Sequence, residues 1–203
     1  MDVVKSINAR LGNKRLAYKN LMPFAGKPIW GLGIEKLREA KRVDEIVVTT
    51  ESELIARVAL DFGASLLARP VGLASDDVPS IPVFQHLVRD YPCAVHLNFN
   101  INFRLCDPAV IDQVVELTAS NGESLSRPYS AWAQTRACPE NNGNPVSISA
   151  HNHEFEDTRA GKTEIHALEN LLGTYRLKQS ERPAELLDWI HPQMAQGKHS
   201  GSR

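Results

Sequence analysis

The run DEIVVTT, residues 44–50, restricts the fold more than any other stretch of the chain. Successive side chains of a strand point to opposite faces, so Ile46, Val47 and Val48 in a row need apolar cover on both sides. A parallel sheet with helices packed on each face supplies it. The run leads straight into a helix pattern. Thr50 and Glu53 have capping-box spacing, Ile55, Val58, Ala59 and Phe62 fall on one side, and Gly63 suits the end. The same unit recurs. VVKSI (3–7) is a short strand, and Pro28 opens a helix whose apolar side is Ile29, Leu32, Ile34 and Leu37, with Gly31 and Gly33 marking a close approach. ASLLA (64–68) is a third strand, followed by a helix over residues 80–90 with Val83, Phe84 and Leu87 inward. CAVHLNFN (93–100) is a fourth strand. Asp107, Pro108 and Gly122 then bracket a helix with Val110, Ile111, Val114 and Leu117 as its core stripe. This alternation predicts a doubly wound α/β sheet with strands near 3–7, 44–50, 64–68 and 93–98.

Beyond residue 123 the pattern weakens. SLSRP reads as a strand, ENNGNPVSISAHNH as a turn followed by a β run, and PAELLDWI (183–190) as a short terminal helix. The expected organisation is one domain over 1–192, with 125–165 as a candidate dimerisation arm and 193–203 as a frayed tail. A chain of 203 residues with 42% hydrophobic content can bury a core without staples. Its three cysteines, an odd count without C-x-x-C spacing, argue for a reducing compartment. No apolar run long enough to span a bilayer or act as a signal peptide occurs, so the expectation is a cytoplasmic protein. A net charge of −1 argues against a nucleic-acid coat, which needs a broad basic excess.

Against that neutral background one interval stands out. Between Asp2 and Glu35 there is no carboxylate, but Lys5, Arg10, Lys14, Arg15, Lys19 and Lys27 all fall there. The loop 8–20 leaves the first strand at its carboxyl end, where open parallel sheets bind ligands. Cations there, with Gly12 admitting close backbone approach, make a phosphate-binding surface. RLGNK fits neither a dinucleotide fingerprint nor a P-loop.

Three stretches, ARLGNKRLAYKNLMPFAGKPI, VDEIVVTTESELIARVALDFGA and RPVGLASDDVPSI, resemble in order and spacing the sugar-activating cytidylyltransferases, the synthetases of CMP-linked sialic acid, nonulosonates and, more distantly, CMP-Kdo. The family's loop has the form A-R-x-x-S-K-x-x-P-x-K-N. The resemblance implies a three-layer, Rossmann-like nucleotidyltransferase fold with a mainly parallel sheet. It also implies a reaction in which the hydroxyl of an acidic sugar attacks the α-phosphate of CTP, with Mg²⁺ as cofactor and pyrophosphate leaving. By position, Arg10, Lys14 and Lys19 would hold the phosphates, and Asn20, Arg69 and Ser80 the ribose and base. Asn98 stands where the family has a base- or sugar-facing Gln, and Arg104 keeps the family's Arg. A homodimer is implied as well.

The chain departs from the family in places. Asn8, Leu11, Asn13 and Ala17 replace the usual Pro, Gly, Ser and Pro, and NFNINFR replaces a Q-P-T-S-P-L-R-like stretch. The family's D-I-D-T-P-E-D-like segment, whose aspartates bind Mg²⁺, is set against QSERPAELLDW, leaving Glu181 and Glu185 as the expected metal ligands and Asp188 as a helix-surface residue. His151 and His153 read as surface histidines, Cys106 as a buried thiol, and Trp30, Trp132 and Trp189 as core or interface residues. Two functions follow: an active cytidylyltransferase serving surface-glycan synthesis, or a relative that binds nucleotide as a scaffold without turnover. A transferase of similar topology acting on another base is the third.

Overall fold

Strand β1 (Val3–Asn8) is the strand from which the sheet is built outward. The computed structural model describes residues 2–11, 19–24, 26–42, 44–75, 77–141, 154–161 and 164–181. After β1 come a small ribbon, β2 (Pro23–Phe24) and β3 (Lys27–Pro28), then α1 (Ile29–Glu39), β4 (Glu45–Thr50) and α2 (Glu53–Asp61). Next are β5 (Ser65–Ala68), α3 (Ser80–Asp90), β6 (Val95–Phe99) and α4 (Pro108–Asn121). The chain continues through β7 (Glu123–Arg127), β8 (Ala131–Thr135), α5 (Ala137–Glu140), β9 (Glu154–Glu156) and α6 (Leu168–Glu181).

Among the described residues the main sheet has seven strands, in the order β5-β4-β1-β6-β8-β7-β9. β1 pairs in parallel with β4 and β6, and β4 with β5, while β8 runs antiparallel to both β6 and β7. The three-layer, mainly parallel α/β arrangement expected from the sequence is therefore present. Alternation along β1 divides the core. Val3 and Ile7 join Trp30, Ile34 and Leu37 of α1 together with Val110 and Ile111 of α4. Val4 faces the other way, with Val47 of β4 and Leu87 and Val88 of α3. Each fully buried Leu, Ile or Val contributes roughly 1.5–3 kcal/mol.

Caps and glycines place the helices. Asp107 accepts the backbone N–H of Ala109 (2.8 Å), and Gly122 ends α4 at φ +76°. At α2 the cap differs from expectation. Ser52, not Thr50, caps the helix: its Oγ accepts from the Ile55 N–H (3.4 Å), while Thr50 Oγ1 accepts from the Ser52 N–H (3.1 Å). Thr50 is still paired in β4 and cannot also be a cap. Gly31 and Gly33 bring α1 against its neighbours; a Cβ on Gly31 would land on the Phe62 ring, and one on Gly33 would meet Ile101.

Within the described part of 125–165, the end of β7 and all of β8 and β9 belong to the main sheet, and α5 follows β8. Trp30 is fully buried, and Trp132 packs edge-on against Phe84 and Tyr129. All three cysteines are free and buried, and burial pushes the Cys106 thiol up to about 11. His151, His153, Trp189 and the expected helix 183–190 lie outside the described residues. Among the described residues no helix is long and apolar enough to cross a membrane.

One polar residue sits where the pattern VVKSI gives no warning. Lys5, in the middle of β1, is fully buried, and its ammonium has no hydrogen-bond partner among the described residues. Burial pulls it down to about 8, with the carboxylates of Asp112 and Asp44 opposing.

Candidate functional site

The carboxyl ends of β1, β4 and β5 bring together the first group of side chains. Past Asn8 the chain turns out through Arg10 and Leu11, and the Leu11 N–H donates to Glu51 Oε1 (2.9 Å), tying the loop to the end of β4. Arg10 reaches the Ala74 carbonyl at 3.5 Å, and its own carbonyl accepts from Asn20 Nδ2 (2.8 Å). Arg69, just past β5, is buried; its Nη2 donates to the Thr49 carbonyl (2.6 Å) and its Nε to Thr49 Oγ1 (3.3 Å). Burial lowers its guanidinium to about 10, with Glu51 opposing and the like charge of Arg10 adding to the drop. It remains a cation at neutral pH, so two positive charges and one carboxylate share this edge. Among the described residues, Asn20 Oδ1 and Glu51 Oε2 are buried acceptors with no hydrogen-bond partner. Buried polar atoms in folded proteins are normally satisfied, so such atoms beside a basic loop are suited to a ligand's donors.

A second group lies next to the first, past the end of β6. Asn8 Nδ2 donates to Asn98 Oδ1 (2.8 Å), and Asn98 Nδ2 donates to the Tyr129 hydroxyl (2.9 Å). Burial raises the Tyr129 phenol to about 12, so it stays protonated. Asn100 Nδ2 donates to the Tyr129 carbonyl (3.1 Å), and Asn102 Nδ2 donates to Glu164 Oε1 (3.2 Å). The same oxygen lies 2.6 Å from His166 Nε2. Lys19 joins the two groups: its ammonium donates to Asn102 Oδ1 (2.5 Å) and to the Ile165 carbonyl (3.1 Å).

The expected site residues thus distribute unevenly. Arg10, Asn20 and Arg69 gather on the first side, Asn98 on the second, and Lys19 between them. Ser80 is the exposed first residue of α3; Pro79 precedes it as a cap without a side-chain bond, so the Ser80 hydroxyl is not a cap. Arg104 is buried against the start of α1, donating from Nη1 to the Ile29 carbonyl (3.4 Å). Its Nε and Nη2 have no partner among the described residues, and burial lowers it to about 9. Glu181 is the last residue of α6, about 20 Å of helix from that helix's start. Lys14 and Glu185 lie outside the described residues.

Sequence reasoning passed over Glu51, Tyr129, Asn100, Asn102, Glu164 and His166. Two signals pointed to some of them. Asn98, Asn100 and Asn102 alternate in NFNIN, and EIHALEN, residues 164–170, repeats the spacing of D-I-D-T-P-E-D with an imidazole at the second acid. A depression of about 580 Å³ lined by Arg38, Asp44, Glu45 and Ser65 opens at the amino ends of β4 and β5, the opposite edge. Open parallel sheets bind ligands at the carboxyl edge, which favours the two groups above.

Known proteins resemble this chain in sequence and in fold. N-acylneuraminate cytidylyltransferase of Escherichia coli O18:K1:H7 is 33% identical over 89 residues, 44% of this chain and 21% of that protein. CMP-N,N'-diacetyllegionaminic acid synthase of Legionella pneumophila is 42% identical over 133 residues, 62% of this chain and 56% of that one. The chain therefore spans only a fifth to about half of these relatives. The solved structure of CMP:2-keto-3-deoxy-manno-octonic acid synthetase complexed with CTP superposes with a TM-score of 0.73 at 13% identity, covering 89% of this chain and 100% of that one, a likeness of fold. The cytidylyltransferase family model matches residues 6–178, most of the sequence, and the chain belongs to that family.

Proposed function

We propose that this protein transfers CMP from CTP to the hydroxyl of an acidic, sialic acid- or nonulosonate-like sugar, releasing pyrophosphate, in the synthesis of surface glycans. The observation that carries the reading is the convergence of Arg10 and Arg69 at the carboxyl edge of β1, β4 and β5, beside the amide-rich group around Asn98. Phosphoryl chemistry of this kind depends on positioning and on offsetting negative charge. Arg10, Arg69 and, from the loop, Lys14 meet the triphosphate. Lys19 holds the two halves of the site together, and Asn20 and Ser80 face the nucleoside. Asn98, with Asn8 and Tyr129 behind it, presents amides to the sugar.

A resident Mg²⁺ is a different matter. Mg²⁺ takes oxygen donors in near-ideal octahedra. At Glu164 one carboxylate oxygen already receives N–H groups, and the neighbouring position is an imidazole. Among the described residues no three His, Cys, Asp or Glu side chains come together. The described residues do not fit the ion, and Mg²⁺ enters as a partner of the triphosphate substrate. The second reading, a nucleotide-binding protein without turnover, draws its support from the same observation.

The reading places the protein in the cytoplasm, where CTP is made, and as a homodimer. Leu168 and Leu172, one turn apart on α6 and about half exposed, suit such a contact. Sedimentation at micromolar concentration is expected to give twice 22.5 kDa, and a 22.5 kDa species alone would remove the dimer. The function itself is tested by CTP-dependent pyrophosphate release across a panel of acidic sugars, with and without Mg²⁺. Release with one or more of them is expected; tight CTP binding with no release from any would favour the second reading.

A further inference from the structure

The geometry points to His166, oriented by Glu164, as the general base that accepts the proton of the attacking sugar hydroxyl. The inference rests on the cytidylyl-transfer reading above. His166 Nε2 lies 2.6 Å from Glu164 Oε1. A carboxylate cannot donate, so Nε2 carries the hydrogen and Nδ1 the lone pair of the neutral ring. A base held in one tautomer by a carboxylate is the arrangement that proton abstraction requires.

The dyad is held from several sides. Asn102 Nδ2 donates to the same Glu164 oxygen at 3.2 Å, and Asn100 Nδ2 approaches it at 3.5 Å. Asn170 Oδ1 accepts the backbone N–H groups of His166 (3.3 Å) and Ala167 (2.9 Å), fixing the segment at the entry to α6. The imidazole itself is about one-third exposed, open to a substrate, unlike the fully buried His96, which bonds to Ser6 Oγ and is pushed down to about 3. Among the described residues, the charged and titratable groups around the dyad are Glu164 itself, the Lys19 ammonium on Asn102 and the Ile165 carbonyl, and the Tyr129 phenol, which senses the Glu164 charge.

The step balances. The sugar O–H bond breaks as its proton passes to Nδ1 and its oxygen forms a bond to the α-phosphorus. The bond from that phosphorus to the bridging oxygen breaks, and pyrophosphate leaves with the electron pair. The imidazolium, stabilised by Glu164, returns its proton to water.

The test compares wild type, His166→Gln and Glu164→Gln for CTP affinity by calorimetry and for kcat between pH 5.5 and 9, the latter at two Mg²⁺ concentrations and with Mn²⁺. His166→Gln is expected to lose at least about 100-fold in kcat, the usual worth of a positioned base. It should also lose the acidic limb of the pH profile while holding CTP affinity within about twofold. Glu164→Gln is expected to lower kcat by less than His166→Gln while leaving KM for CTP unchanged, as a positioning residue would. Retention of kcat within about threefold, or of the acidic limb, in His166→Gln overturns the proposal. Recovery of that variant by more Mg²⁺ or by Mn²⁺ also overturns it, since His166 would then act as a metal ligand. Wild type without turnover on any acidic sugar overturns the transfer reading and the base with it, a result separable from the others because it precedes any substitution.

Discussion

Replacing Lys5 by methionine is expected to stabilise the protein. Lys5 is fully buried in β1 with an ammonium unpartnered among the described residues, brought from the ordinary lysine value of 10.5 down to about 8. At about 1.4 kcal/mol per tenfold change in proton affinity, that drop corresponds to roughly 3 kcal/mol. This is a ceiling, because the surroundings relax around a buried charge, and Lys5→Met should gain about 1–3 kcal/mol at pH 7. The sign with pH follows from linkage. Below pH 8 the lysine is charged in both the folded and unfolded chains, and the cost is fully present. Between pH 8 and 10.5 the folded chain gives up its proton first, so wild-type stability rises relative to Lys5→Met and the gap closes. Cys93 and Cys106, both raised to about 11, and Tyr129, raised to about 12, work in the opposite direction, but they are common to both proteins and cancel in the difference. Urea unfolding of the pair at pH 7, 8, 9 and 10 is the assay. A Lys5→Met protein less stable than wild type at pH 7, or a gap that does not change with pH, would refute the reasoning.

Arg10→Ala is expected to weaken CTP binding by about 1.5–3 kcal/mol at low salt, the worth of a hydrogen bond to a charged group, with a smaller loss at high salt as screening takes over. Calorimetry showing unchanged affinity at low salt would mean the loop is merely solvated. Gly31→Ala is expected to cost about 1–3 kcal/mol because its methyl lands on the Phe62 ring, and Phe62→Leu in the same chain should return part of that. Thermal unfolding of the single and double variants checks this, and a neutral Gly31→Ala would show that α1 and α2 have room to separate.

The parallel half of the fold was legible because each strand carried an apolar run and each helix a cap or stop within a few residues of it. The α2 cap was read two residues early, since Thr50 and Ser52 are both good caps and only the extent of β4 decides between them. The right-hand edge was harder to read. From the sequence Trp132 reads as a core or interface residue, because no periodicity around it decides which way Tyr129 and Trp132 face. They turn inward because β8 is inserted antiparallel beside β6, and the turn before it closes over the end of that strand, with the Asn100 N–H on the Ser130 carbonyl at 2.8 Å. The cationic half of the site was visible as a carboxylate-free interval in one continuous segment. The amide half was not, because Asn8, Asn98, Tyr129 and Glu164 come from four separate segments that only the strand order brings together.

The central claim is that the bond broken lies between the α- and β-phosphates of CTP and that the CMP passes to a sugar. Phosphorus-31 NMR of the protein with Mg²⁺, CTP and an acidic sugar observes this directly. The account predicts that the three CTP resonances give way to one phosphodiester signal and an equimolar amount of pyrophosphate. Cleavage to CDP and inorganic phosphate, or CTP left intact with every acidic sugar while calorimetry reports it bound, would contradict it.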